Sequence, residues 1–121
     1  MGLIEITTTE EFKEIINDPS GEYKYILVEF YKNNCHPCSI LSPKLDSIAL
    51  LFNQTKFIKI NYQKLPDLAK KYGVNILPTT LIFEKNNDLK YSFQPIVGPF
   101  IAQIESLLKL ITGELEPKED F

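Results

Sequence analysis

The sequence predicts an α/β fold: a mixed β-sheet flanked by helices on both faces, with elements in the order β-α-β-α-β-α-β-β-α. Three observations carry this prediction. Runs of strand character at 23–31 and 56–62 are separated by stretches whose apolar residues recur at helical spacing, which implies parallel neighbours joined by helices. The run from Tyr23 to Tyr31 is apolar on both faces, as in the middle of a parallel sheet. Two further strand-like runs follow one another across a polar turn near the end, which adds an antiparallel hairpin. A chain of 121 residues, 44% of them hydrophobic, fits a single domain over 1–121 with one core.

Each element has its own signal. Leu3 to Thr7 is a short β-like run. Thr8 and Glu11 fit a capping box, so a helix starts there. Phe12, Ile15 and Ile16 give it an apolar face, and Asn17-Asp18-Pro19-Ser20-Gly21 ends it. Within the next strand, Glu29 breaks the apolar run. Burying a carboxylate is costly unless it is paired or protonated. A helix is expected from about Pro37 to Phe52, with Leu41, Leu45, Ile48 and Phe52 on one side and a kink at Pro43. Lys56 to Tyr62 is a strand with Lys59 embedded in it. Pro66 suits the first turn of a short helix that Gly73 stops. After a turn, the strand ending at Phe83 is expected to pair with a last strand at Leu89–Gln94 across the polar turn Glu84–Asp88. From Pro99, Ile101, Ile104, Leu107, Leu108 and Ile111 mark a final helix capped by Gly113. The core is expected over about 3–112, and the acidic tail 114–121 is expected to fray.

Charge and hydropathy exclude several classes. A net charge of −3 offers no basic surface for nucleic acid or anionic lipid. No run is long enough to span a bilayer. The first residues, Met1-Gly2-Leu3-Ile4-Glu5, lack a basic region followed by an apolar stretch and a cleavage site. No membrane association or export is therefore expected, and a cytoplasmic setting is. Nothing in the chain requires more than a monomer.

The two cysteines of the chain stand in Asn33-Asn34-Cys35-His36-Pro37-Cys38-Ser39, between a strand and a helix. Asparagines and proline mark a turn. A helix N-terminus offers free N–H groups and a positive dipole end, either of which stabilises a thiolate on Cys35. Thiols at this spacing can also close a disulfide, so the stretch suits a dithiol/disulfide couple. Two alternatives stay open at this point. Zinc sites also use paired cysteines, but need further ligands, and His36 is the only histidine. Two inert, buried cysteines are the other alternative.

Taken together, these features resemble the thioredoxin family over roughly residues 3 to 112. The carriers are Ile26-Leu27-Val28-Glu29-Phe30 before Cys35-His36-Pro37-Cys38, Pro43 in the long helix, Lys59 beside the buried acid, Leu77-Pro78-Thr79, and Gly98. The departures are Asn34 where the family usually has tryptophan, His36 where it has glycine, and Glu29 where it has aspartate.

The resemblance implies a thioredoxin-like fold and a protein disulfide oxidoreductase that reduces client disulfides. Its electron donor would be a thioredoxin reductase, and its only cofactor the redox-active Cys35–Cys38 disulfide. Cys35 would be the nucleophile and Cys38 the resolving thiol. Glu29 would accept the proton of Cys38, Lys59 would tune that acid, and Pro37 would belong to the motif. Pro78, as a cis-proline, would bind substrate with Leu77, Ile76, Gly98 and Tyr31. A cationic His36 would favour the Cys35 thiolate and raise the potential above the family's usual value by roughly 20–60 mV. Two rival functions follow: a more oxidising oxidase or isomerase, and a module that docks partners with redox chemistry secondary.

Overall fold

The computed structural model describes residues 2–114. Among them, the elements are β1 (Leu3–Ile6), α1 (Thr9–Ile16), β2 (Tyr25–Tyr31), α2 (His36–Ala49), β3 (Thr55–Asn61), α3 (Pro66–Lys71), β4 (Thr79–Glu84), β5 (Ile96–Val97) and α4 (Ile101–Thr112). The sheet runs β1-β3-β2-β4-β5. β1, β3 and β2 are parallel to one another, while β4 runs antiparallel to both β2 and β5. This is the mixed sheet of a thioredoxin-like fold.

The period-two alternation of the central strand sorts its residues between two layers. Ile26, Val28 and Phe30 join Phe12, Ile16, Leu68 and Phe83 in one buried cluster, under α1 and α3. Leu27 joins Leu41, Leu45, Phe57, Ile82, Ile104 and Leu108 in the other, under α2 and α4. Helices therefore cover both faces. Glu29 shares the parity of Leu27, so it lies on the α2 face. In the first layer, Phe83 sits between Phe12 and Tyr72, with ring centroids at 5.6 Å and 4.9 Å.

Local signals account for most boundaries. The Thr8 hydroxyl accepts from the Glu11 N–H at 3.1 Å, and the Glu11 carboxylate accepts from the Thr8 N–H at 3.1 Å. That is the reciprocal capping box read from the sequence. Gly113 caps α4 with φ 70°, a left-handed value that glycine adopts without a Cβ clash. α2 ends at Ala49, one turn before the expected end, and Phe52 enters the core from the loop instead.

The last hairpin is corrected. Residues 89–94 form no strand, and β5 is the two-residue segment Ile96–Val97, in register with Thr79 and Thr80. The alternation of Leu89, Tyr91 and Phe93 mimics a strand, but a strand places such residues on one face. Here Leu89 is 81% exposed, Tyr91 packs on the first cluster and Phe93 on the second. One backbone bond, Ser92 N–H to the Ile82 carbonyl at 2.8 Å, ties the segment to β4. The tail is corrected at its first residue. The Glu114 carboxylate accepts the N–H groups of Asn53 and Gln54 at 2.8 and 3.3 Å, so Glu114 is held by the fold. The remainder of the expected frayed tail, 115–121, lies outside the described residues.

Candidate functional site

β2 ends at Tyr31, and the loop that follows turns at Asn34, whose φ of 57° is left-handed. Asparagine tolerates this conformation because its short side chain bonds locally. The turn delivers Cys35 to the N-cap of α2, where its Sγ accepts the Cys38 N–H at 3.3 Å. Pro37 stands in the first turn of that helix, where a missing N–H costs nothing. Cys35 and Cys38 form a disulfide with an S–S distance of 2.18 Å and Cα atoms 5.3 Å apart. Cys35 is half-buried, whereas Cys38 is 3% exposed. An incoming group therefore reaches the outer sulfur and not the inner one.

Glu29, two residues before the end of β2, is fully buried. The Ser42 hydroxyl, one turn beyond Cys38 on α2, lies 2.9 and 2.8 Å from its Oε1 and Oε2. Burial pushes the Glu29 carboxyl up to about 7, against the downward pull of the Ser42 hydrogen bond and the Lys59 charge. Lys59 is its register neighbour on β3. The lysine makes no ion pair within 4.0 Å of Glu29 among the described residues. Its Nζ sits instead over the Tyr31 ring, 5.1 Å from the centroid, a cation–π geometry. The Tyr31 hydroxyl donates to Glu5 at 2.5 Å, and burial with that carboxylate pushes it up to about 12.

A cleft of about 620 Å³ opens beside the disulfide. Tyr31, Cys35, His36, Cys38, Ser42 and Lys59 all line it, together with Lys32 and the two asparagines of the loop. His36 is exposed, and its carbonyl accepts the Ser39 hydroxyl at 2.6 Å. The fold thus brings five of the sequence-predicted residues, Tyr31, Cys35, His36, Cys38 and Lys59, to one cavity.

The remaining candidates form a second group. The Leu77–Pro78 peptide is cis, and Pro78 is buried. Thr79, directly after it, pairs with Phe30 near the end of β2, so the proline flanks the strand end from which the redox loop leaves. The Gly98 N–H donates to the Pro78 carbonyl at 2.8 Å. Gly98 has φ 109°, and a Cβ there would stand 2.6 Å from the Phe100 ring. Leu77 packs half-buried against the first core cluster. Its backbone has no hydrogen-bond partner among the described residues. Ile76 is 60% exposed and borders a separate cavity of about 190 Å³, alongside Thr79 and Val97.

Sequence reading missed several neighbours of the site. The sequence does not single out Ser42, although it stands four after Cys38, on the same face. Thr80 is the register partner of Glu29 on β4, and its buried hydroxyl has no hydrogen-bond partner among the described residues. Val97 and Phe100, 43% and 53% exposed, extend the apolar surface around Gly98.

The sequence model of the thioredoxin family matches residues 3–109. Thioredoxin-2, mitochondrial, of Schizosaccharomyces pombe is 33% identical over 106 residues, covering 88% of this chain and 76% of the relative. Thioredoxin-2 of Pyricularia oryzae is 29% identical over 103 residues, 85% of this chain, and the match spans 56% of that relative's length. The crystal structure of a poplar thioredoxin h superposes with a TM-score of 0.81 at 19% identity, covering 92% of this chain and 96% of that one, which shows the shared fold. Among the described residues, no helix is long and apolar enough to cross a membrane. The chain belongs to the thioredoxin family, and its Cys35–Cys38 pair marks it as a thiol–disulfide oxidoreductase of that family.

Proposed function

We propose that this protein reduces disulfides in client proteins and is recharged by a thioredoxin reductase. We further read it as a single-domain monomer of the cytoplasm, whose one cofactor is its own disulfide. One observation supports this above the others: the outer Cys35 is accessible at a helix N-cap, and its partner Cys38 is buried, its carbonyl beside the Ser42 hydroxyl that also bonds Glu29. In the reduced protein, the Cys35 thiolate attacks a substrate sulfur, forms a mixed disulfide and releases one substrate thiolate. Cys38 then loses its proton, attacks Cys35 Sγ and releases the second substrate thiol. Two electrons pass to the substrate, and the Cys35–Cys38 bond is left behind. Glu29 takes the Cys38 proton, for which a carboxyl pushed up to about 7 by burial is suited near neutral pH. Lys59 adds a weaker opposite charge. The unpartnered backbone at Leu77, flanked by Ile76, Pro78 and Gly98, offers an edge along which an extended client segment can lie.

Insulin reduction with and without a thioredoxin reductase tests this reading. Turnover that depends on the reductase is expected. Absence of turnover under both conditions, with the dithiol intact, would favour a partner-docking module. A second reading, a more oxidising oxidase or isomerase, is favoured by His36, which lines the cleft between the two cysteines. Equilibration of the Cys35–Cys38 couple with glutathione separates the two, because it fixes the direction of electron flow.

A further inference from the structure

Ser42 is the one side chain hydrogen-bonded to the buried acid among the described residues, and its geometry is double. Its Oγ lies 2.9 and 2.8 Å from the Glu29 carboxyl oxygens and 3.1 Å from the Cys38 carbonyl oxygen. A hydroxyl carries one proton and two lone pairs, so it cannot donate to both neighbours at once. With Glu29 ionised, the proton belongs on the carboxylate, where the charge-assisted bond is stronger. With Glu29 protonated, the carboxyl O–H can donate to Ser42 Oγ, and the serine proton turns to the Cys38 carbonyl. Each protonation state of the acid therefore finds a satisfied partner.

We propose that Ser42 is a positioning residue for the proton step: its hydroxyl switches between Glu29 and the Cys38 carbonyl, and so sets where the acid titrates and holds it facing the inner cysteine. This rests on Glu29 being the proton acceptor for Cys38. The other groups facing Glu29 do not replace Ser42. From β3, Lys59 is turned to the Tyr31 ring. Tyr31, on β2 with Glu29, donates to Glu5 of β1. From β4 comes Thr80, which bears no charge and makes no bond to the acid. On the α4 side the layer is closed by Ile104 and Leu108, which are apolar. From helix α2 comes Ser42, and Cys38 one turn before it does not titrate in the oxidised protein. The hydrogen bond from Ser42 is the largest of the influences that favour the ionised acid.

The test is a carboxyl ¹³C NMR titration of Glu29 in oxidised wild-type, Ser42→Ala, Ser42→Thr and Ser39→Ala proteins. It is paired with the pH profile for resolution of a preformed Cys35 mixed disulfide in the same four proteins. Ser42→Ala should move the Glu29 midpoint upward by about one pH unit, a tenfold change in proton affinity. Ser42→Thr keeps the hydroxyl and should restore most of the shift. Ser39→Ala, whose hydroxyl bonds the His36 carbonyl instead, should leave the midpoint in place. An unmoved Glu29 midpoint in Ser42→Ala overturns the proposal, as does a Ser42→Thr protein that titrates like the alanine variant. If the midpoint moves while the resolution profile does not, Ser42 still sets the acid, and it is Glu29 as proton acceptor that is lost.

Discussion

At Glu29 the fold buries a carboxyl and holds it with one hydroxyl, so its charge bears on stability. Folded, the group titrates near 7, against 4.5 for an ordinary glutamate. Between those values the folded state binds more protons than the unfolded one, so stability falls as pH rises. The contribution is fully present below about pH 4.5 and is lost as pH passes through about 7. Its size is about 3 kcal/mol. Glu29→Gln removes the charge. Denaturant unfolding of the oxidised variant should therefore lose most of this pH dependence and show a higher stability than wild type at pH 8. Equal slopes of stability against pH in the two proteins would show that Glu29 is solvated in solution. At the same scale, His36 is exposed and adjoins Cys35 in the chain, and we propose that it acts through the outer sulfur. A positive charge beside a thiolate favours the thiolate and hence the reduced form. His36→Gly should lower the potential by at least roughly 20 mV, close to a fivefold change in the glutathione equilibrium. An unchanged equilibrium would leave His36 an exposed residue with no part in tuning.

Elements were legible where one physical signal dominated. The capping box at Thr8 and Glu11 is a local reciprocal bond, so it can be read without knowing the fold. Thr8→Ala should cost about 1 kcal/mol in chemical denaturation, while the site of α2, in another layer, stays intact. The redox turn was equally legible, because its two cysteines have no competitors in the chain and stand between a strand and a helix. Glu29 stood out as a charge in an apolar run. The misplaced β5 shows what sequence could not supply. Tyr91 and Phe93 alternate as in a strand, yet each packs on a different face, and only the tertiary layers decide that. Ser42 and Thr80 escaped for a related reason. Small hydroxyl residues suit exposed and buried positions alike, and their meaning came only when α2 and β4 were set against Glu29.

On the scale of the whole molecule, the two groups of candidate residues meet at one edge. β2 delivers the redox loop from its carboxyl end, and β4 starts beside that end with Thr79 opposite Phe30. β5 then carries Gly98 back to the Pro78 carbonyl. On the proposed reading, a protein client lies along this second group to present its sulfur to Cys35, whereas a small disulfide need only reach the sulfur. The two substrate classes should therefore respond differently to a change at Gly98. A side chain there meets two obstacles: a φ of 109° that L-residues rarely adopt, and the Phe100 ring 2.6 Å from the new Cβ. Such backbone strain is worth on the order of 1–3 kcal/mol; the exposed Phe100 ring can swing aside, but the φ strain is relieved by a shift of the backbone at Gly98, which bonds the Pro78 carbonyl. Gly98→Ala should thus slow insulin reduction severalfold while leaving reduction of a small disulfide near the wild-type rate. Equal slowing with both substrates would mean that the substitution disturbs the disulfide itself. Equal rates with both would mean that clients dock elsewhere, and the cleft lined by Lys32, His36 and Lys59 on the other side of Cys35 would then be the next surface to vary.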